Sequence, residues 1–268
     1  MNGVDTCRLI VDPPAPGSWN MAVDEALLEA AVDGTATLRL YQWAEPTLSL
    51  GYFQRLDDRR LHPASRACAV VRRQTGGGAI LHDRELTYSL ALPARSRFAR
   101  DATELYLVVH EAIGKLLAGA LESTATNWRL EIHERPSRLA PAAEPFLCFE
   151  RRARGDLLLV ADRRVTRTDA PPPAYKILGS AQRRHRGAIL QHGSLLLGQS
   201  PAAPELPGWR ELTGEATTAA DLITALPEHL AAVLSSRLES GDLPSAMRAA
   251  AGQLERQKYA SPAWTARR

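Results

Sequence analysis

The chain has 268 residues, 45% hydrophobic and 24% charged. That composition excludes a largely disordered, collagenous or coiled-coil protein, and the length suits one large sheet domain or two smaller ones. Thirty-three basic residues against thirty acidic ones leave a net charge of +3, too small to demand a nucleic-acid partner.

Asp5 and Asp12-Pro13-Pro14 stand where a secretory leader would be apolar, and no run of about eighteen apolar residues follows, so a soluble cytoplasmic protein is expected. Cys7, Cys68 and Cys148 are odd in number and lack CxxC or Cys/His spacing, which predicts reduced thiols and no metal site. After the Pro/Gly segment 13–17, Ser18 or Asn20 is suited to cap a helix on which Met21, Ala22, Ala26, Leu27 and Ala30 recur at helical spacing. Residues 38–42 and 47–53 are β-rich runs, and Glu45-Pro46 between them predicts a hairpin. Residues 69–74 and 86–92 are further strands, joined through Gly76-Gly77-Gly78. Leu105, Val108, Val109, Ile113, Leu116 and Leu117 mark an amphipathic helix over 102–121. Strands are expected over 126–133, 156–165, 175–182 and 187–197, with an exposed polar loop at 163–173, and helices over 219–239 and 243–257. Paired strands interrupted by single helices specify an α+β fold, a mixed β-sheet flanked by helices. No repeat or boundary is visible, so 1–268 reads as a single domain in which 219–257 is a C-terminal helical covering layer.

The densest chemical signal is Arg72-Arg73-Gln74-Thr75-Gly76-Gly77-Gly78-Ala79-Ile80-Leu81-His82-Asp83. Glycines let the backbone approach a ligand and take positive φ, and the arginines can hold an anionic or polar group. A bare triple glycine is more often an ordinary hairpin, and the missing GxGxxG and GxxxxGK[ST] patterns argue against dinucleotide and P-loop sites. A second signal is compositional: only Lys115, Lys176 and Lys258 are lysines, against thirty arginines. A lysine retained against that bias is a candidate for chemistry that needs a compact amine.

Downstream come Lys176-Ile177-Leu178-Gly179-Ser180-Ala181-Gln182 and Gln191-His192-Gly193-Ser194-Leu195. With Asn20–Glu25 and Pro46–Gly51, the three blocks resemble the lipoate-protein ligase and octanoyltransferase family, whose catalytic fold is related to that of biotin protein ligases. The likeness spans roughly residues 18–198. It implies a biotin/lipoate protein ligase-like catalytic domain with an acyl tunnel between the glycine turn and the 176–182 strand. Arg73, Gly76, Gly77, Gly78, His82, Gly179 and Ser180 would bind substrate, and Lys176 would sit beside the reacting carbonyl as a protonated amine that stabilises developing negative charge. His192 stays structural in this reading, while Asp83 and Glu150 orient neighbours or stay solvated. Arg183, Arg184 and Arg186 offer a docking face for an acidic carrier, although such clusters are more often plain solvated surface.

Cysteine separates the mechanisms within that family. Pro145-Phe146-Leu147-Cys148-Phe149-Glu150 resembles the PCF-type segment of the cysteine-dependent octanoyltransferase branch, which makes Cys148 the expected nucleophile. Cys68 reads as a small buried residue, and Cys7 has no motif around it. The resemblance then implies octanoyl-acyl carrier protein as donor and a lysine of a lipoyl domain or glycine-cleavage H protein as acceptor. It implies no cofactor, neither ATP nor metal, and no nucleic acid or membrane. Two readings stay open beside it: an ATP-dependent lipoate or octanoate ligase, and a non-catalytic acyl-carrier or lipoyl-domain binding protein. Biotin ligation lacks its GRGRxG-type loop. The long stretch between Cys148 and Lys176, with its 163–173 insertion, decides whether the two residues can meet.

Overall fold

A computed structural model describes residues 4–122, 127–135, 144–162, 171–234 and 236–267. The chain opens with β1 (Thr6–Val11), α1 (Gly17–Val32), β2 (Thr37–Tyr41), β3 (Thr47–Leu50), β4 (Ala69–Arg72), β5 (Ile80–His82) and β6 (Glu85–Leu92). Next are α2 (Arg97–Arg100), α3 (Ala102–Glu122), β7 (Trp128–Ile132), β8 (Leu157–Ala161), β9 (Ala174–His185) and β10 (Ala188–Leu196). It closes with α4 (Trp209–Thr213), α5 (Ala219–Leu234), β11 (Arg237–Ser240), α6 (Ser245–Leu254) and α7 (Pro262–Thr265). Eight strands form a mixed sheet in the order β11-β1-β2-β6-β10-β9-β8-β7, and β4-β3-β5 form a second, smaller sheet.

The long strands at the centre of the large sheet are buried on both faces, because apolar helices cover each side. Leu105, Val109 and Ile113 of α3 share one core with Leu222, Leu226 and Leu230 of α5. On the other face, Leu27 and Leu28 of α1 pack with Ala251 of α6 and with Tyr259. Among the described residues no helix is long and apolar enough to cross a membrane.

Several expectations are corrected. The hairpin of 38–42 with 47–53 does not form: β2 pairs with β1 and β6, while β3 pairs with β4 and β5 in the other sheet. Alternation marks a strand but not its partner, and both edges of β2 are taken by strands distant in sequence. Neither Ser18 nor Asn20 caps α1, which starts at Gly17 after Pro16. Asn20 instead turns its amide to the Ala15 and Gln42 carbonyls. The helix expected over 219–239 stops at Leu234, and Arg237–Ser240 pairs parallel with β1. That parallel partner, Thr6–Val11, is too short a run for its sequence to announce. Of the 163–173 loop, residues 163–170 lie outside the described residues.

Candidate functional site

Arg73 builds the glycine turn. Its guanidinium, 1% exposed, donates to Ser49 O at 2.8 Å, Gly76 O at 2.8 Å and Gly78 O at 2.7 Å. Burial pulls that group down to about 10, with Arg151 and Arg72 adding to the fall and Cys148 opposing it, so it stays charged at neutral pH. Gly77 has φ +95°, and its carbonyl lies so near Gly51 that a Cβ on Gly51 would meet it at 2.0 Å. With these carbonyls turned inward, the amides of Gly76, Gly77 and Gly78 donate to no backbone carbonyl among the described residues.

The turn's exit holds the cysteine segment. Ala79 N–H donates to Phe146 O at 3.0 Å and Cys148 N–H donates to Ala79 O at 2.7 Å. Cys148 is thereby fixed, half-buried, at the start of a short 3-10 turn. Lys176 reaches it from β9. Its Nζ lies 3.8 Å from Cys148 Sγ and 3.4 Å from Cys148 O. The separation of 27 intervening positions in the sequence therefore closes in space.

Two features of β9 aim Lys176. Leu157 pairs with Leu178 but Leu158 pairs with Lys176, a β-bulge that leaves Ile177 as the extra residue. Bulges re-aim side chains beside sites. Gly179 then clears the path, since a Cβ there would lie 2.3 Å from Lys176 Cε. Asp156, 0% exposed, accepts from Lys176 Nζ through Oδ2 at 2.9 Å and from Tyr106 O–H through Oδ1 at 2.7 Å. Burial pulls the Lys176 amine down, but the charges of Cys148 and Asp156 outweigh it and hold the amine above its ordinary value.

The predicted residues fall into three groups. Cys148, Lys176, Gly179 and the turn of Gly76, Gly77 and Gly78 come together. Ser180 contributes its backbone N–H to Tyr106 Oη at 3.0 Å, while its hydroxyl joins a buried chain with His110 and Tyr88, each at 2.7 Å. His82 lies deeper. It stacks on Trp43 at 3.8 Å, accepts from Ser49 O–H and donates Nδ1–H to Glu85 at 2.6 Å. Burial pulls His82 below its ordinary value, which keeps the ring neutral in that chain. Beside it runs a narrow slot of about 10 Å³, room for about one water molecule, lined by Met21, Tyr41, Trp43, Ile80, Ala181 and His192 among others. At its edge His192 donates to Asp24 at 2.9 Å and accepts from Thr75 O–H at 2.7 Å.

Asp156 and Tyr106 escaped the sequence reading. Tyr106 sits on the helix face between apolar positions, with no local motif. Asp156 carried a faint signal as the one acid directly before the wholly apolar Leu157–Ala161. Of the retained lysines, Lys258 pairs with Glu25, Lys115 is exposed, and only Lys176 faces a thiol.

The lipoyl protein ligase A/B catalytic domain pattern matches residues 16–203. The octanoyltransferase LipM of Kyrpidia tusciae is 34% identical over 293 residues, covering 99% of this chain and 100% of that protein. The octanoyltransferase LipM of Brevibacillus brevis is 30% identical, covering 97% of this chain and 99% of its own. Among solved structures, a bi-partite lipoate protein ligase from Thermoplasma acidophilum superposes with a TM-score of 0.69 at 18% identity, covering 98% of this chain and 96% of that one. At that identity the likeness is one of fold.

Proposed function

The chain belongs to the lipoyl protein ligase A/B catalytic-domain family, and on that premise we propose that it moves an octanoyl group in two steps through a thioester on Cys148. The overall activity is octanoyl transfer, the activity named for the LipM relatives that match it nearly end to end, and its place is in lipoate biosynthesis. The observation that carries the two-step reading is the ammonium of Lys176 at 3.8 Å from the half-buried Cys148 Sγ. A ligase that makes an acyl-adenylate needs no such thiol.

In the first step the Cys148 thiolate adds to the thioester carbonyl of octanoyl-acyl carrier protein. Lys176 and the amides of the glycine turn, which donate to no backbone carbonyl among the described residues, are the donors this scheme assigns to the developing oxyanion. The carrier thiol leaves, and each methylene of the octanoyl chain that the enzyme buries contributes about 0.8 kcal/mol. In the second step a lysine of a lipoyl domain or glycine-cleavage H protein adds to the acyl-enzyme and releases Cys148. Thioester exchange supplies the activation, so the scheme calls on neither ATP nor metal. All three cysteines are free, which suits a reducing cytoplasm as the compartment.

The test is intact mass after incubation with octanoyl-acyl carrier protein in the absence of ATP. Wild type should gain one octanoyl adduct and Cys148→Ala none. An adduct that survives on Cys148→Ala, or acylation that needs free acid and ATP, overturns the reading.

A further inference from the structure

Lys176 has three N–H donors, and three acceptors face them: Asp156 Oδ2 at 2.9 Å, Cys148 O at 3.4 Å and Cys148 Sγ at 3.8 Å. Asp156 is equally committed. Its Oδ2 also accepts from Ala153 N–H at 2.6 Å, and its Oδ1 is filled by Tyr106 O–H. We infer that Asp156, held by Tyr106, is a positioning residue that fixes Lys176 as a permanent cation at Cys148, so that Lys176 stabilises the oxyanion in both steps and serves as base in neither. This rests on the reading of Cys148 as nucleophile.

Were Lys176 to give up a proton to act as base, the buried Asp156 carboxylate would lose its counter-charge, a strongly unfavourable state. The remaining groups around the amine do not replace it. From α3 come Tyr106, whose hydroxyl burial holds in its protonated form, and His110, which burial pulls down to about 4 and so keeps neutral. From the cysteine turn come Cys148 itself and the Phe149 ring, 5.4 Å from Nζ. Arg73, which is electrostatically coupled to Cys148, adds a like charge.

The proton balance follows. In the first step the C–S bond to Cys148 forms, the C–S bond to the carrier breaks, and the carrier thiolate takes its proton from water. In the second step the C–N bond forms, the C–S bond to Cys148 breaks, and the amine's surplus proton passes to the departing sulfur or to water. Lys176 keeps all its protons throughout.

The experiment follows octanoyl adduct formation on the full-length chain by rapid quench and intact mass, across neutral to alkaline pH. Wild type should rise and hold as pH increases. Asp156→Asn should become bell-shaped and fall about tenfold per unit beyond its new limb, because burial then pulls the amine into the measured range. Asp156→Glu, which keeps the carboxylate, should restore the plateau, and Tyr106→Phe should show the same limb displaced less. Loss of rate at all pH values with the profile unchanged would mark Asp156 as merely structural and overturn the inference. If Asp156→Asn does not fold, a wild-type profile in Tyr106→Phe overturns it. Wild type that never acquires an adduct would instead defeat the Cys148 reading.

Discussion

At the scale of single residues, titratable groups are buried in arrangements whose protonation is fixed by neighbours. His110 is the sharpest case: its Nδ1–H donates to Gly155 O and its Nε2 accepts from Ser180 O–H, each at 2.7 Å, a pattern only the neutral ring can make. Burial takes it from the ordinary 6.5 to about 4. A depressed histidine means that the unfolded chain binds the proton first, so stability falls as pH drops from about 6.5 to about 4, by up to about 3 kcal/mol. Asp24 acts lower on the scale. Burial raises it, but His192, Arg39 and Ser89 more than offset that, so its contribution is lost only below the ordinary carboxylate range. Urea midpoints measured at neutral pH and midway through that window should drop for wild type and drop less for His110→Gln. Equal drops would show that another group governs the acid limb.

At the scale of elements, β9 does the aiming. A regular strand with an ordinary residue at 179 would leave the Lys176 side chain no path across its own backbone. The obstacle to Gly179→Ala is the far end of a flexible side chain, with Lys176 Cε at 2.3 Å and Nζ at 2.7 Å from the new methyl. The substitution should therefore displace the amine while the sheet stays intact. Adduct formation should fall by about tenfold or more, since about 1.4 kcal/mol of lost stabilisation suffices, with a thermal midpoint close to wild type. An unchanged acylation rate would show that Lys176 does not need this path. A second element-scale device lies on the other side of the turn, where buried Arg72 donates to the Thr265 carbonyl at 2.7 Å and to Gln54 O at 2.6 Å. That bond set ties α7 to the segment after β3, next to the residue that clamps the glycine turn.

At the scale of the whole molecule, the C-terminal segment is bound into both faces of the large sheet. α5 shares the core of α3, α6 packs on α1, and β11 extends the sheet beside β1. We read the chain on that basis as one cooperative domain. Leu230, fully buried in the α3–α5 core, tests it: Leu230→Ala should cost about 2–5 kcal/mol and move a single urea transition followed by both fluorescence and circular dichroism. Two separated transitions would show the C-terminal layer to be a distinct unit.

The sequence by itself determined the family and singled out the glycine turn, the thiol and the lysine as candidates, because each is written in a local block whose chemistry does not depend on partners. It also determined most strands and the long helix α3, whose periodicities of two and 3.6 are local properties. Only the tertiary structure decided that β2 and β3 belong to different sheets, that Arg237–Ser240 is a strand, and that Cys148 and Lys176 meet. It alone supplied Asp156 and Tyr106. Strand pairing and buried ion pairs are set by what arrives from elsewhere in the chain. Asp156 becomes Lys176's partner because β8 and β9 pair through a bulge, a register that no spacing within either strand records.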